Sequence, residues 1–370
     1  MDNIKKLAQN LVNYSCKVKK GEKVLIEANI NAEPLIKAII KEVYVAGGLP
    51  FVSLSSSKIL SEQLKGTTQM HLEHMAKYMS FIMADMNAYI GISAEDNIYE
   101  LSNLNDKTLS MISLFYSKPV HRDIRVKHTK WVILKYPTCS LAQLSNKNSK
   151  EFEDFFYKVC NLNYSKMNAE MNNLKQLMEK TDRVKIVSLN TDLTFSIKGI
   201  PAIKCAGEMN IPDGEVFTAP IKDSVNGKIN YNISSLYNGK RFDNICFEFK
   251  NGKIEKATSS NTVGLNSILD TDEGARYIGE FSFGLNPYIT EPMYDILFDE
   301  KMAGSIHFTP GCCYDEADNS NKSAIHWDLI LNQTEAYGGG EIWFDDVLIR
   351  KNGLFVVKEL LGLNPNNLKQ

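Results

Sequence analysis

Residues 305–314 and 323–328 place His307, Tyr314, His326 and Asp328 close together in a chain that holds only 6 histidines. His326 and Asp328 are two apart, so in an extended strand both side chains leave by the same face and one metal ion can touch both. Their neighbours are apolar: Ile306 and Phe308 flank His307, Ile325 and Trp327 flank His326, and Leu329 follows Asp328. Polar rings and a carboxylate in such settings need a partner to offset desolvation, and a shared cation supplies one. Upstream, Glu215 follows Pro212-Asp213-Gly214, and Glu280 follows Gly279. Two imidazoles and three carboxylates form a mixed nitrogen and oxygen set suited to zinc, cobalt or manganese. Such a set can hold two divalent ions across a bridging carboxylate. These residues point to a two-metal hydrolase.

The elements that must position them fall into two halves. A helix is expected from about residue 4 to 16, then a strand at 23–26. A second helix from about Glu33 carries Leu35, Ile36, Ile39, Ile40 and Val43 on one side and ends at Gly47-Gly48. Further strands are expected at 51–54, 88–92 and 131–134, as short apolar runs of the kind buried in parallel sheets. From about 149 to 181 the pattern is helical throughout, with Phe152, Phe155, Phe156, Val159, Met167, Met171, Leu174 and Met178 as a core stripe. Beyond Asp182-Arg183 the chain turns β-rich, with Asn-Gly pairs at 226, 238, 251 and 352 as hairpin signals. The expected organisation is an α/β N-terminal domain with an open, mostly parallel sheet (1–183). An α+β, β-rich C-terminal domain (184–370) then carries all five candidate ligands.

Composition narrows the function classes. At 370 residues two domains are the natural expectation. A formal charge of -2, with lysines scattered rather than clustered among aromatics, shows no nucleic-acid footprint. No apolar run approaches the roughly 18 to 20 residues of a membrane span, and the N-terminal residues lack the pattern of a secretory signal. A cytoplasmic protein is expected. The 7 cysteines are odd in number and scattered, with no C-x-x-C pair, which fits a reducing compartment.

Other chemistry-bearing residues have plainer explanations. His71 and His74 bracket Glu73 on a surface helix without the zinc-protease spacing, and His121 and His128 sit among Arg122, Arg125, Lys127 and Lys130 on a loop or solvated face. Adjacent Cys312 and Cys313 diverge too far to bridge easily and read as structural or incidental. Gly338-Gly339-Gly340 lacks the lysine and hydroxyl of a phosphate loop, and no G-x-S-x-G elbow occurs.

Taken together, residues 210–220 around Glu215, Gly279-Glu280, His307 with Tyr314 seven residues on, and residues 321–328 resemble the thermophilic-type metalloaminopeptidases, the family of aminopeptidase T, aminopeptidase S and PepS. The resemblance covers nearly the whole chain and extends to residues 19–26, Tyr136-Pro137-Thr138 and Ala142-Gln143. It implies a pair of divalent ions held by Glu215, Glu280, His307, His326 and Asp328, with Tyr314 as a catalytic phenol. It also implies a homodimer acting on short peptides. The chain departs from the commoner pattern after His307, where Thr309-Pro310 and Cys312-Cys313 stand in place of small and apolar residues.

A metal-activated water, with Glu280 or Glu215 shuttling its proton to the leaving amine, would then release N-terminal residues. Two alternatives stay open at this point. One is a metal-dependent amidase or dipeptidase on another small amide. The other is a non-catalytic ligand-binding protein with a structural metal.

Overall fold

The four apolar runs of the first half pair side by side into one parallel sheet in the order Leu49–Ser55, Lys23–Asn29, Ala88–Ser93, Lys130–Lys135. A fifth strand, Asn210–Ile211, joins that edge from much later in the chain. The computed structural model describes residues 2–237 and 239–369. Val24, Leu25 and Ile26 are buried in a strand with neighbours on both sides, which is why that run shows no alternation. The helix Glu33–Val45 covers the sheet with Leu35, Ile36, Ile39 and Val43, and Pro34 sits in its first turn, where no amide hydrogen bond is lost. The expected first helix is shorter than its pattern: Asn3–Gln9 is α-helical and Asn10–Ser15 widens into a π-turn.

This unit comprises Met1–Asn161 with Gly207–Ile211; the second comprises Leu162–Ala206 with Pro212–Gln370. The helical stretch after 149 is two helices, Ser149–Cys160 and Tyr164–Lys180, and only the second lies in the second unit. Between them the Asn163 side chain accepts the Lys166 amide, a local cap that competes with continuing the helix.

Among its described residues the second unit holds two large antiparallel sheets and a small two-stranded one. The five-stranded one runs Ile330–Asn332, Ser305–Pro310, Ile278–Gly284, Glu215–Thr218, Ile203–Cys205. The other has 8 strands, with Arg183–Ser188 and Thr191–Ser196 near its middle. Alternation along the two central strands of the five-stranded antiparallel sheet sorts the chemistry. Phe281 and Phe308 face the larger sheet, each with its ring 5.0 Å from that of Phe195, while Glu280, Ser282, His307 and Thr309 share the opposite face. The Asn-Gly signal holds at Asn251-Gly252 and Asn352-Gly353, both with positive φ between paired strands. Asn226-Gly227 instead opens a strand, and Asn238 of the remaining pair lies outside the described residues. Among the described residues no helix is long and apolar enough to cross a membrane.

Candidate metal centre

Five side chains expected to converge do so, on the polar face of the five-stranded antiparallel sheet. Glu280 lies at the middle: its Oε1 is 3.0 Å from His307 Nε2 and its Oε2 is 3.2 Å from His326 Nε2. Glu215 Oε2 approaches His307 Nε2 at 3.3 Å, and Asp328 Oδ1 approaches His326 Nε2 at the same distance. The ligand atoms thus sort into two three-residue groups, Glu215-Glu280-His307 and Glu280-His326-Asp328, with Glu280 common to both.

The segment bearing His326 and Asp328 is extended but is not the regular strand expected. His326 makes one isolated bridge to Gly311, and ladder pairing resumes only at Ile330. The two-residue spacing still directs both side chains to Glu280, while Trp327 turns the other way against Tyr237 and Phe242. Gly311 makes the approach possible: its φ is +110°, and a Cβ there would lie 2.1 Å from the Ile325 carbonyl oxygen.

Both imidazoles are oriented by backbone. His307 Nδ1 is 3.2 Å from the Glu300 carbonyl and His326 Nδ1 is 2.7 Å from the Cys312 carbonyl. Carbonyls only accept, so each Nδ1 carries a hydrogen and each Nε2 is turned toward the carboxylates, where it holds a proton in the metal-free protein and can ligate a metal once that proton leaves. Among the described residues His326 Nε2 is buried without a hydrogen-bond partner, its two carboxylate neighbours lying close but out of hydrogen-bonding alignment. An orphaned nitrogen facing anionic oxygens is the signature of a ligand atom, and the donor set fits divalent zinc, cobalt or manganese.

The electrostatics agree. Burial opposes charge on His307, but the hydrogen bond and charge of Glu280 outweigh it and push the imidazole up to about 9. Burial opposes charge on His326 as well, and the nearby charge of Asp328 drives it up. Burial would raise the Glu280 and Asp328 carboxyls, yet the imidazoles hold both below their ordinary values. A bound cation would take the place of those protons, so binding and proton release are coupled.

Several participants escape sequence reasoning. Lys301, only 1% exposed, places Nζ 2.5 Å from Glu215 Oε1, 2.7 Å from Glu300 Oε1 and 3.7 Å from Asp213 Oδ1. Its ammonium therefore occupies the position that Cys205, Asp213 and Glu215 would otherwise offer to an ion. Glu300 is a further carboxyl at the site; burial, partly countered by Lys301, pushes it up to about 8. Thr309 donates to Asp328 Oδ1 at 2.7 Å and Ser282 to Glu215 Oε2 at 3.3 Å. Strand alternation was the available signal for these two, since they follow His307 and Glu280 by two residues.

Tyr314 lies with its ring 4.7 Å from that of His326 and 5.4 Å from that of Phe217. Although the residue is 46% exposed, burial of its phenol end, then the charge of Glu280, pushes its pKa well above the ordinary value. Cys312 and Cys313 are unbridged thiols, and the main-chain carbonyl of Cys312 is what serves the site. His121 is not on a solvated face as expected: it packs between Tyr89 and Tyr116, and burial lowers it to about 4.

The model of the thermophilic metalloprotease (M29) family matches residues 1–355. Aminopeptidase AmpS of Bacillus subtilis (strain 168) is 24% identical over 348 residues, covering 83% of each chain. Aminopeptidase T of Thermus aquaticus is 22% identical over 384 residues, covering 90% of this chain and 93% of the relative. Among solved structures, wild-type AmpT from Thermus thermophilus superposes with a TM-score of 0.81 at 20% identity, covering 96% of this chain and 99% of the other. The structure of 2,5-dihydroxypyridine dioxygenase from Pseudomonas putida KT2440 also matches, with a TM-score of 0.61 at 14% identity over 97% of this chain and 99% of the other. One fold thus carries different chemistries, and the site must decide between them.

Proposed function

The chain belongs to the thermophilic metalloprotease (M29) family, and on that premise we propose that it is a metal-dependent aminopeptidase releasing N-terminal residues from short peptides at a two-metal site. The observation that carries the reading is Glu280, whose two oxygens face two different imidazoles at 3.0 and 3.2 Å and so divide five ligands into two groups. Glu215, Glu280 and His307 would hold one ion; Glu280, His326 and Asp328 the other. Bound there, divalent cations supply Lewis acidity, lowering the pKa of water toward neutrality and polarising a carbonyl. Zinc, cobalt and manganese all suit the donor set, and a homodimer working in the cytoplasm belongs to the same proposal.

The protein's own groups do the rest. The Glu300 and Cys312 carbonyls keep the imidazole lone pairs aimed inward. Thr309 fixes one oxygen of Asp328, and Lys301 with Ser282 fixes Glu215. Both oxygens of Glu280 face imidazoles, and both of Glu215 are engaged by Lys301, Ser282 and His307. Glu300, ion-paired with Lys301 at 2.7 Å, joins Glu280 and Glu215 as a third candidate for the proton shuttle. Tyr314, a neutral donor whose ring lies against that of His326, would hydrogen-bond the oxyanion that develops as the carbonyl is attacked.

The decisive experiment compares one short peptide with a free and with an acetylated amino terminus, before chelation, after it, and after reloading with zinc, cobalt or manganese. Cleavage of the free form alone, lost with the metal and restored by it, is expected; equal cleavage of both forms excludes an aminopeptidase. Tyr314→Phe should lower kcat by about 10²- to 10³-fold, the usual cost of one oxyanion donor, with metal content by elemental analysis unchanged. A loss confined to metal content would remove the phenol from the reaction.

A further inference from the structure

Beside the metal centre a cavity of about 180 Å³ opens onto His326 and Asp328. Its walls include Ile233, Leu236, Tyr237, Ile296, Trp327 and Ile330. One wall is a separate two-stranded ribbon, Ser235–Tyr237 with Lys240–Phe242, fastened to the segment that carries the ligands. Trp327 Nε1 donates to Ser235 Oγ at 2.8 Å, and the Tyr237 ring lies 4.5 Å from the indole. Trp327 sits between His326 and Asp328 in sequence, so alternation that sends the ligands one way sends this indole into the pocket wall.

From this arrangement we infer that the cavity receives an apolar side chain of the substrate's N-terminal residue, of leucine to phenylalanine size. The inference rests on the aminopeptidase reading and adds to it the substrate class. Size supports it, since an apolar cavity on the order of 150 Å³ is enough to admit a benzene ring. Chemistry supports it as well. Among the described residues the one carboxylate in the wall that is not a candidate ligand is Asp299, and its Oδ1 already accepts the Met293 amide at 2.6 Å. The amides of Tyr294 and Asp295 bond to the same carboxyl. Held by three backbone donors, Asp299 closes a turn and is not presented to a basic side chain. Arg241, over the Tyr294 ring at 5.2 Å, is bonded to Asp243 and so is not offered to an acidic one. An N-terminal residue whose α-carbon lies beside the polarised carbonyl has its side chain within reach of this cavity.

Two measurements test the inference. In the first, kcat/KM is compared across tripeptides X-Ala-Ala with X as Ala, Leu, Phe, Trp, Lys and Glu. Leu and Phe should exceed Lys and Glu by at least about tenfold. Leu236→Trp, which fills the cavity, should reduce the Phe-to-Ala ratio by about tenfold or more, and Ile233→Ala, which enlarges it, should raise the Trp-to-Leu ratio. A preference for Lys or Glu, or parental ratios in both variants, overturns the inference. The second measurement needs no turnover: tryptophan fluorescence of the metal-loaded and metal-free protein is titrated with free leucine, phenylalanine, glycine and lysine. A shift with leucine and phenylalanine alone, removed by Trp327→Phe, sustains the pocket even if no free-amine peptide is cleaved, in which case only the aminopeptidase reading falls. Equal responses to all four amino acids, or to none, overturn the pocket.

Discussion

Glu280→Gln should lower kcat/KM by at least about 10³-fold, equivalent to roughly 4 kcal/mol of barrier, while leaving the chain folded. The substitution is isosteric but changes two things together. It removes the negative charge shared by the two ligand groups, and it leaves one oxygen and one amide nitrogen where two carboxylate oxygens faced two imidazoles. The amide NH2 cannot coordinate a cation, so one group loses a ligand outright and the other loses the charge. In the metal-free protein His307 also loses the partner that holds it at about 9, and burial then brings its pKa down. Calorimetric titration with zinc or manganese, read beside elemental analysis, should show two binding events in the parent and at most one in the variant. Asp328→Asn provides the contrast, because Asp328 belongs only to the group with Glu280 and His326; it should weaken one event and spare the other. Two ions bound by Glu280→Gln with parental affinity would eliminate the bridging role.

Much of this site was legible because its ligands obey local rules. A histidine between Ile306 and Phe308, or a carboxylate between Trp327 and Leu329, announces its need for a partner, and a two-residue spacing fixes a common face even though residues 325–328 form no regular strand. The parallel sheet was legible for a similar reason, since strands buried on both sides are written as continuous apolar runs. What escaped depends on distant contacts. The strand Asn210–Ile211 is two residues long and finds its place only after the chain has passed through part of the other unit. Lys301 follows Asp299 and Glu300, a charged run that reads as a solvated turn. Only the folded chain reveals that it is buried against Glu215, with Asp213 within 3.7 Å. The flanking Phe298 and Met302, both buried, were the only local hint.

Lys301→Met should be the most destabilising of these substitutions, by about 3 to 5 kcal/mol at neutral pH in the metal-free protein, the usual consequence of removing one partner from a buried charge cluster. Methionine fills much the same volume, so the loss is electrostatic: Glu215, Glu300 and Asp213 are left facing one another with their common cation gone. The sign of the pH dependence follows from the raised Glu300 carboxyl. Glu300 already stands at about 8 with the lysine present, and without that cation beside it this buried carboxyl rises further above its unfolded value. The folded state then binds more protons than the unfolded state, and stability falls as pH rises. The deficit relative to the parent should therefore be smaller at pH 5 than at pH 8. Denaturant unfolding at both values measures it. Adding Glu300→Gln should recover part of the loss, the coupling expected of residues in contact, and divalent ions should recover another part by restoring positive charge near Glu215. A deficit independent of pH and untouched by Glu300→Gln would mean that Lys301 acts through packing alone. Glu215 would then owe its orientation to Ser282 and the strand rather than to a built-in cation.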